Sequence, residues 1–252
     1  MCKRLVGSLT SPPLGTGEKA RARGREAGAV ATYDHNAELR NAARRILRPL
    51  GLAQKGRSRT WLDDHGWWLL VVEFQPSGFA GGSYLNVGPM HLWAERDFLA
   101  FENDPRVTWG RGTEFVDARR DGAPAFESLV ERAATRVLEM RTEHGEGLPA
   151  LRRLAKSTSG RPFEKDAWGL LNAGVAAGLV GDVALAESRF FRILRAAKSS
   201  APGWQQALAT DVATRWKPAL SHPDLFREEA AESVRRCREL LKLPQLASIA
   251  FD

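Results

Sequence analysis

The chain has 252 residues, 43% of them hydrophobic and 27% charged, a globular composition with room for one large domain or two small ones. Its longest apolar run, Trp67 to Val72, is strand length and far short of the ~20 residues a membrane helix needs. The formal net charge of +7 invites a nucleic-acid reading, but its distribution argues against one for the middle of the chain.

Residues 1–31 hold six Lys/Arg against two Asp/Glu, residues 32–150 fifteen against seventeen, and residues 151–252 sixteen against eleven. A phosphate-binding surface needs basic side chains clustered on an ordered face, and the central region is slightly acidic. Residues 1–31 are rich in Gly, Pro, Ser, Ala and Arg and carry too little apolar surface to offset the entropy of ordering. They are expected to form a disordered basic tail, with a downstream start near Val30 as an alternative. Cys2 and Cys237 are the only cysteines, which fits a reducing cytoplasm rather than a disulfide scaffold. Lys3 and Arg4 are followed by SLTSPPLGTG, which is no apolar signal segment. The expected localisation is therefore cytoplasmic, with no membrane association.

After the tail, Asp34 or Asn36 can cap a first helix in which Leu39, Ala42, Ala43, Ile46, Leu47 and Leu50 recur at helical spacing, ended by Pro49 and Gly51. Lys55-Gly56 reads as a turn and Thr60 to Leu62 as a short strand. Asp63-Asp64-His65-Gly66 is a hairpin connection. Trp67 to Gln75 is the strongest strand, Gly78 to Gly82 a loop, and Ser83 to Val87 a third strand. Three sequential strands with short loops predict an antiparallel meander. Phe98 to Phe101 and Thr113 to Val116 are further strand candidates, around a loop at Trp109 to Gly112.

Helices follow. The first runs from Pro124 to about His144, with an apolar stripe at Phe126, Val130, Ala133 and Val137 and a stop at Gly145. Beyond it come Leu148 to Leu154, Asp166 to Val180, Asp182 to Ala197, Trp204 to Leu220 and Pro223 to Leu243. Ser221 and Asp224 have the spacing of a capping box for the last. The predicted fold is α+β: residues 32–147 form an antiparallel sheet packed with helices, and residues 148–252 form a helical region on or beside it.

Alternation along the strands separates two faces. Trp68, Leu70, Val72 and Phe74 share one with Leu85 and Val87. Glu73, Gln75, Tyr84 and Asn86 fall together on the other. That polar face, flanked by Trp67 and His91, is the candidate binding surface. A hydrogen-bonded, solvated sheet face is its plainer reading. Five of the eight tryptophans lie between Trp61 and Trp109, where they either fill a core or anchor an interface.

Catalytic signatures are sparse. Asp63, Asp64 and His65 suit a turn better than a metal site. His35, His91, His144 and His222 are isolated in sequence, and neither HExxH nor CxxC occurs. There is no GxSxG elbow, and Gly78 to Gly82 lacks the GKS/T ending of a phosphate loop. No catalytic residue, metal or cofactor is indicated.

Residues from about Leu39 to Leu154 resemble the bacterial domain of unknown function catalogued as 4304. The matching features are the helix ending LRPLGLAQKGRSRTW, the strands LLVVEFQPS and SYLNVG, then Trp109 and the helix after Pro124. Gly51-Leu52, Lys55-Gly56, Gln75, Ser77, Asn86 and Gly88 stand where that family has its turn and strand patterns, with Pro76 and Leu52 as departures. The resemblance implies an α+β fold and supplies no catalytic residue. Further on, AWGLLNAGVAAGLVGDVALAESRFFRIL looks like one degenerate tetratricopeptide repeat, although no second copy exists and an ordinary helical hairpin is the favoured reading. Together these features predict a non-catalytic interaction or immunity-type accessory protein whose partner is another protein. Nucleic-acid binding through the tail and helical region is one alternative. The other is an enzyme with a dispersed active site on the polar sheet face, which a deep pocket of converging titratable groups would bring forward.

Overall fold

The computed structural model describes residues 34–79, 81–102, 105–108, 115–157, 163–197 and 201–251. The expected tail and the Trp109–Gly112 loop lie outside them. Helix α1 (His35–Leu47) starts where the Asp34 carboxylate accepts the N–H groups of Asn36 and Ala37, at 3.0 and 3.2 Å. A 3-10 turn, Arg48–Leu50, then ends at Gly51, whose φ of +90° suits glycine.

Five strands follow in sequence order: β1 (Ala53–Gln54), β2 (Thr60–Asp64), β3 (Trp68–Pro76), β4 (Gly82–His91) and β5 (Phe115–Asp117). All neighbours are antiparallel, in the order β1-β2-β3-β4-β5. The fold is thus the predicted α+β one, an antiparallel sheet with helices followed by an all-helical C-terminal region. Strand β4 is four residues longer at its end than the Ser83–Val87 reading. Pro89 does not interrupt it, because residues 85, 87 and 89 direct their backbone groups to the outer edge rather than to β3. There Val107 N–H donates to Leu85 O, Val87 N–H to Pro105 O, and Glu102 N–H to Pro89 O. The missing proline N–H therefore costs no β3–β4 bond. Phe98–Phe101 is not a strand. It crosses the sheet as an irregular segment, with Ala100 N–H donating to Met90 Sδ and the Phe101 ring set against Gly88.

Strand register confirms the two faces. Leu70, Val72 and Phe74 stand opposite Pro89, Val87 and Leu85, while Glu73 and Gln75 stand opposite Asn86 and Tyr84. Helix α2 (Gly122–His144) lies over the first face, packed beside α1. The second face is not simply solvated: Leu69, Val71 and Met90 on it are buried too. Burial on both sides masks the alternation.

The C-terminal region comprises α3 (Gly147–Lys156), α4 (Phe163–Leu179), α5 (Val183–Ala196), α6 (Gly203–Asp211), a π-turn at Val212–Trp216, α7 (Lys217–Ala219) and α8 (Pro223–Leu240). The α4–α5 hairpin turns at Gly181, φ +81°, and Asp182 caps α5 by accepting Leu185 N–H at 3.1 Å. The expected capping box does not form. Ser221 Oγ donates to Pro218 O, and α8 begins after His222 without a side-chain cap. Pro223 at its first position has no N–H to satisfy. No described helix is long and apolar enough to cross a membrane. Residues 34–252 form one compact unit.

Candidate functional site

The polar residues of the second face assemble as a closed group. Asn86 Nδ2 donates to Glu73 Oε2 at 2.9 Å and to Gln75 Oε1 at 3.1 Å. Arg106 donates to the same Gln75 oxygen at 3.0 Å and lies over the Tyr84 ring at 4.1 Å. Asn86 is buried. The donors and acceptors of this face are largely directed at one another.

His91 does not flank that group. Its register partner is Trp68, which puts it on the opposite face, under the end of α2. Trp67 joins it because regular strand begins only at Trp68. In the turn before it, Trp67 N–H donates to His65 O, and the indole stacks on Trp93 and His91, with centroids 5.1 and 5.7 Å away. Trp68 stacks on His65 at 4.1 Å and meets the tilted ring of His144 at 5.3 Å. Both consecutive indoles are buried, and both border one cavity of about 280 Å³.

Three layers build that cavity. Trp67, Trp68, Pro89 and His91 come from the sheet, Glu143 and His144 from the end of α2, and further side chains from α3 and the first half of α4. At its inner wall the Glu102 carboxylate accepts His91 N–H at 2.7 Å, the His91 Nδ1 proton, and Asn172 Nδ2 at 2.6 Å. Asn172 Oδ1 in turn accepts Trp93 Nε1–H at 2.7 Å. The His91 and Glu102 side chains are each only 4% exposed. A carboxylate buried this deeply needs such partners. With Nδ1 engaged by Glu102, Nε2 is the ring nitrogen left to accept a proton.

His144 is kept neutral. Burial, followed by the neighbouring His91, lowers its pKa to about 4. Behind Trp68, burial pushes the Asp63 pKa up, but hydrogen bonds from His65 and Arg141 outweigh it and hold the carboxyl below its usual range. Burial likewise opposes the charge on His65, yet the bonds to Asp63 and Glu146 raise its pKa overall. Cys237 is buried and its thiol pushed up by desolvation, the opposite of an activated nucleophile. Among the described residues no group of three or more His, Cys, Asp or Glu is arranged to hold a metal ion.

The inner wall was not legible in the sequence. Glu102 sits in an irregular segment and Asn172 lies seventy residues further on, so neither carries a local motif. Unpaired histidines at positions 91 and 144 were the only visible signal. No family model, curated protein or solved structure matches the chain. The likeness to domain of unknown function 4304 stands on its short strand and turn patterns alone.

Proposed function

We propose that the protein is an enzyme acting on a small molecule held between Trp67, Trp68 and the α3–α4 surface, with His91 as its general base. The observation that carries this reading is the chain His91–Glu102–Asn172–Trp93 in the cavity wall. Glu102 fixes the ring and stabilises the imidazolium formed when Nε2 takes a proton from water or from the substrate. Asn172 and the His91 N–H lock the carboxylate, so little reorganisation accompanies the transfer. Apolar walls with a few convergent polar groups are the usual make-up of a small-molecule site, and about 280 Å³ falls just below the usual ~300–1,000 Å³, which suits a small ligand. The accessory-protein reading draws on the Glu73–Asn86 face, whose polar groups bond to one another. The nucleic-acid reading draws on the basic helical region and on a tail outside the described residues.

The test is a turnover screen over small aryl esters, lactones, amides and phosphates, repeated with His91→Gln. Turnover should fall by about 10²-fold or more, the usual contribution of a general base, while the melting temperature stays near that of the parent. Turnover that survives His91→Gln, or its absence across every class, would contradict the proposal.

A further inference from the structure

The same cavity has a charge pattern that goes beyond the proposed reaction and, resting on that reading, defines its substrate class. Three carboxylates line the space, Glu102, Glu143 and Asp166, with the guanidiniums of Arg153 and Arg192. The acids are already engaged. Glu102 is bonded to His91 and Asn172, and Glu143 receives two bonds from Arg136, at 2.9 and 3.3 Å. Asp166 acts electrostatically on Arg189. The cations are not matched in the same way. Arg153 donates to a neutral acceptor, the His144 carbonyl, at 2.9 Å. Arg192 makes no hydrogen bond or ion pair with another described residue.

A second feature, outside the residues that line the cavity, has the same sign. Arg189 precedes Arg192 by one turn of α5 and is 8% exposed, yet its Nε–H has no acceptor. Desolvation and the repulsion from Arg192 both act against its charge. A buried donor on a crowded cation is costly unless an anion comes near.

We infer that the ligand of this cavity is a small aromatic or otherwise flat apolar molecule carrying a carboxylate or phosphate. Its apolar part lies against Trp67 and Trp68, and its anionic group is held at the mouth by Arg153 and Arg192. Both arginines are exposed on helix surfaces, so their replacement leaves the core intact.

The experiment measures calorimetric binding of phenyl phosphate, benzoate and neutral benzyl alcohol to the full chain, with the indole N–H signals of Trp67 and Trp68 reporting the location. The acids should bind about tenfold or more tightly than the alcohol, and Arg192→Gln or Arg153→Gln should remove about that factor, the worth of one charged hydrogen bond. The preference should weaken with added salt. Equal binding of all three probes at the indoles, unaffected by Arg192→Gln, would overturn the anionic assignment while leaving the cavity as the site. No probe perturbing either indole would overturn the assignment and the cavity reading together.

Discussion

Two histidines that contact the Trp68 ring couple stability to pH with opposite signs. His144 has its folded pKa lowered from 6.5 to about 4, so the unfolded chain binds the proton more readily. Its effect is a loss of stability as pH falls from about 6.5 toward about 4. His65 has a raised folded pKa. Its stabilisation is complete below the unfolded value and is lost as pH rises through the folded one. Asp63, with a lowered pKa, stabilises above its unfolded value and loses that contribution only in stronger acid. Urea midpoints across pH should therefore fall on the acid side in the parent, less steeply in His144→Phe. They should fall on the alkaline side less in His65→Gln than in the parent. Parallel curves for parent and His144→Phe would mean that the ring is not buried neutral.

Between elements, one side chain ties the helical region to the sheet. Arg238 of α8 is fully buried and grips Asp64, at the end of β2, with two bonds of 2.8 and 2.7 Å. It also donates to the carbonyls of Gly66 and Pro244. The Asp64 side chain is about a third exposed, so removing its partner is less severe than for a wholly enclosed pair. Arg238→Ala should still cost about 3 kcal/mol, the lower end for breaking a buried ion pair, read as a lower urea midpoint. Arg238→Lys should recover only part of it, because an ammonium cannot reproduce the planar fork. A midpoint shift within experimental error would show that the Arg238–Asp64 fork contributes nothing to the docking of α8. This contact explains why the chain order of elements was legible while their docking was not. Periodicity and turn residues marked α1, β2 to β4 and the α4–α5 hairpin. Nothing local in Arg238 or Asp64 announces a partner 174 residues away. The strand candidate at Phe98–Phe101 failed for a related reason: Ala100 and Phe101 lie against Met90 and Gly88 while Phe98 is exposed.

Across the molecule, the sheet, the end of α2 and the α3–α4 pair meet around the Trp67–Trp68 cavity, and the proposed function rests on that meeting point. Alternation did group Glu73, Gln75, Tyr84 and Asn86, since a two-residue period holds wherever the strand is regular. It misplaced His91 and Trp67, one by attaching it to the wrong face and the other because the chain is still turning there. Glu102, Asn172 and His144 come from three different elements, so only tertiary packing reveals them. The most direct test of His91 as a base is its side-chain nitrogen-15 spectrum at neutral pH, with and without phenyl phosphate. We predict a ring protonated at Nδ1, a bare Nε2, and an Nε2 resonance that moves when the probe binds. A ring protonated at Nε2 instead, or an Nε2 signal that the bound probe leaves unchanged, would contradict the assignment.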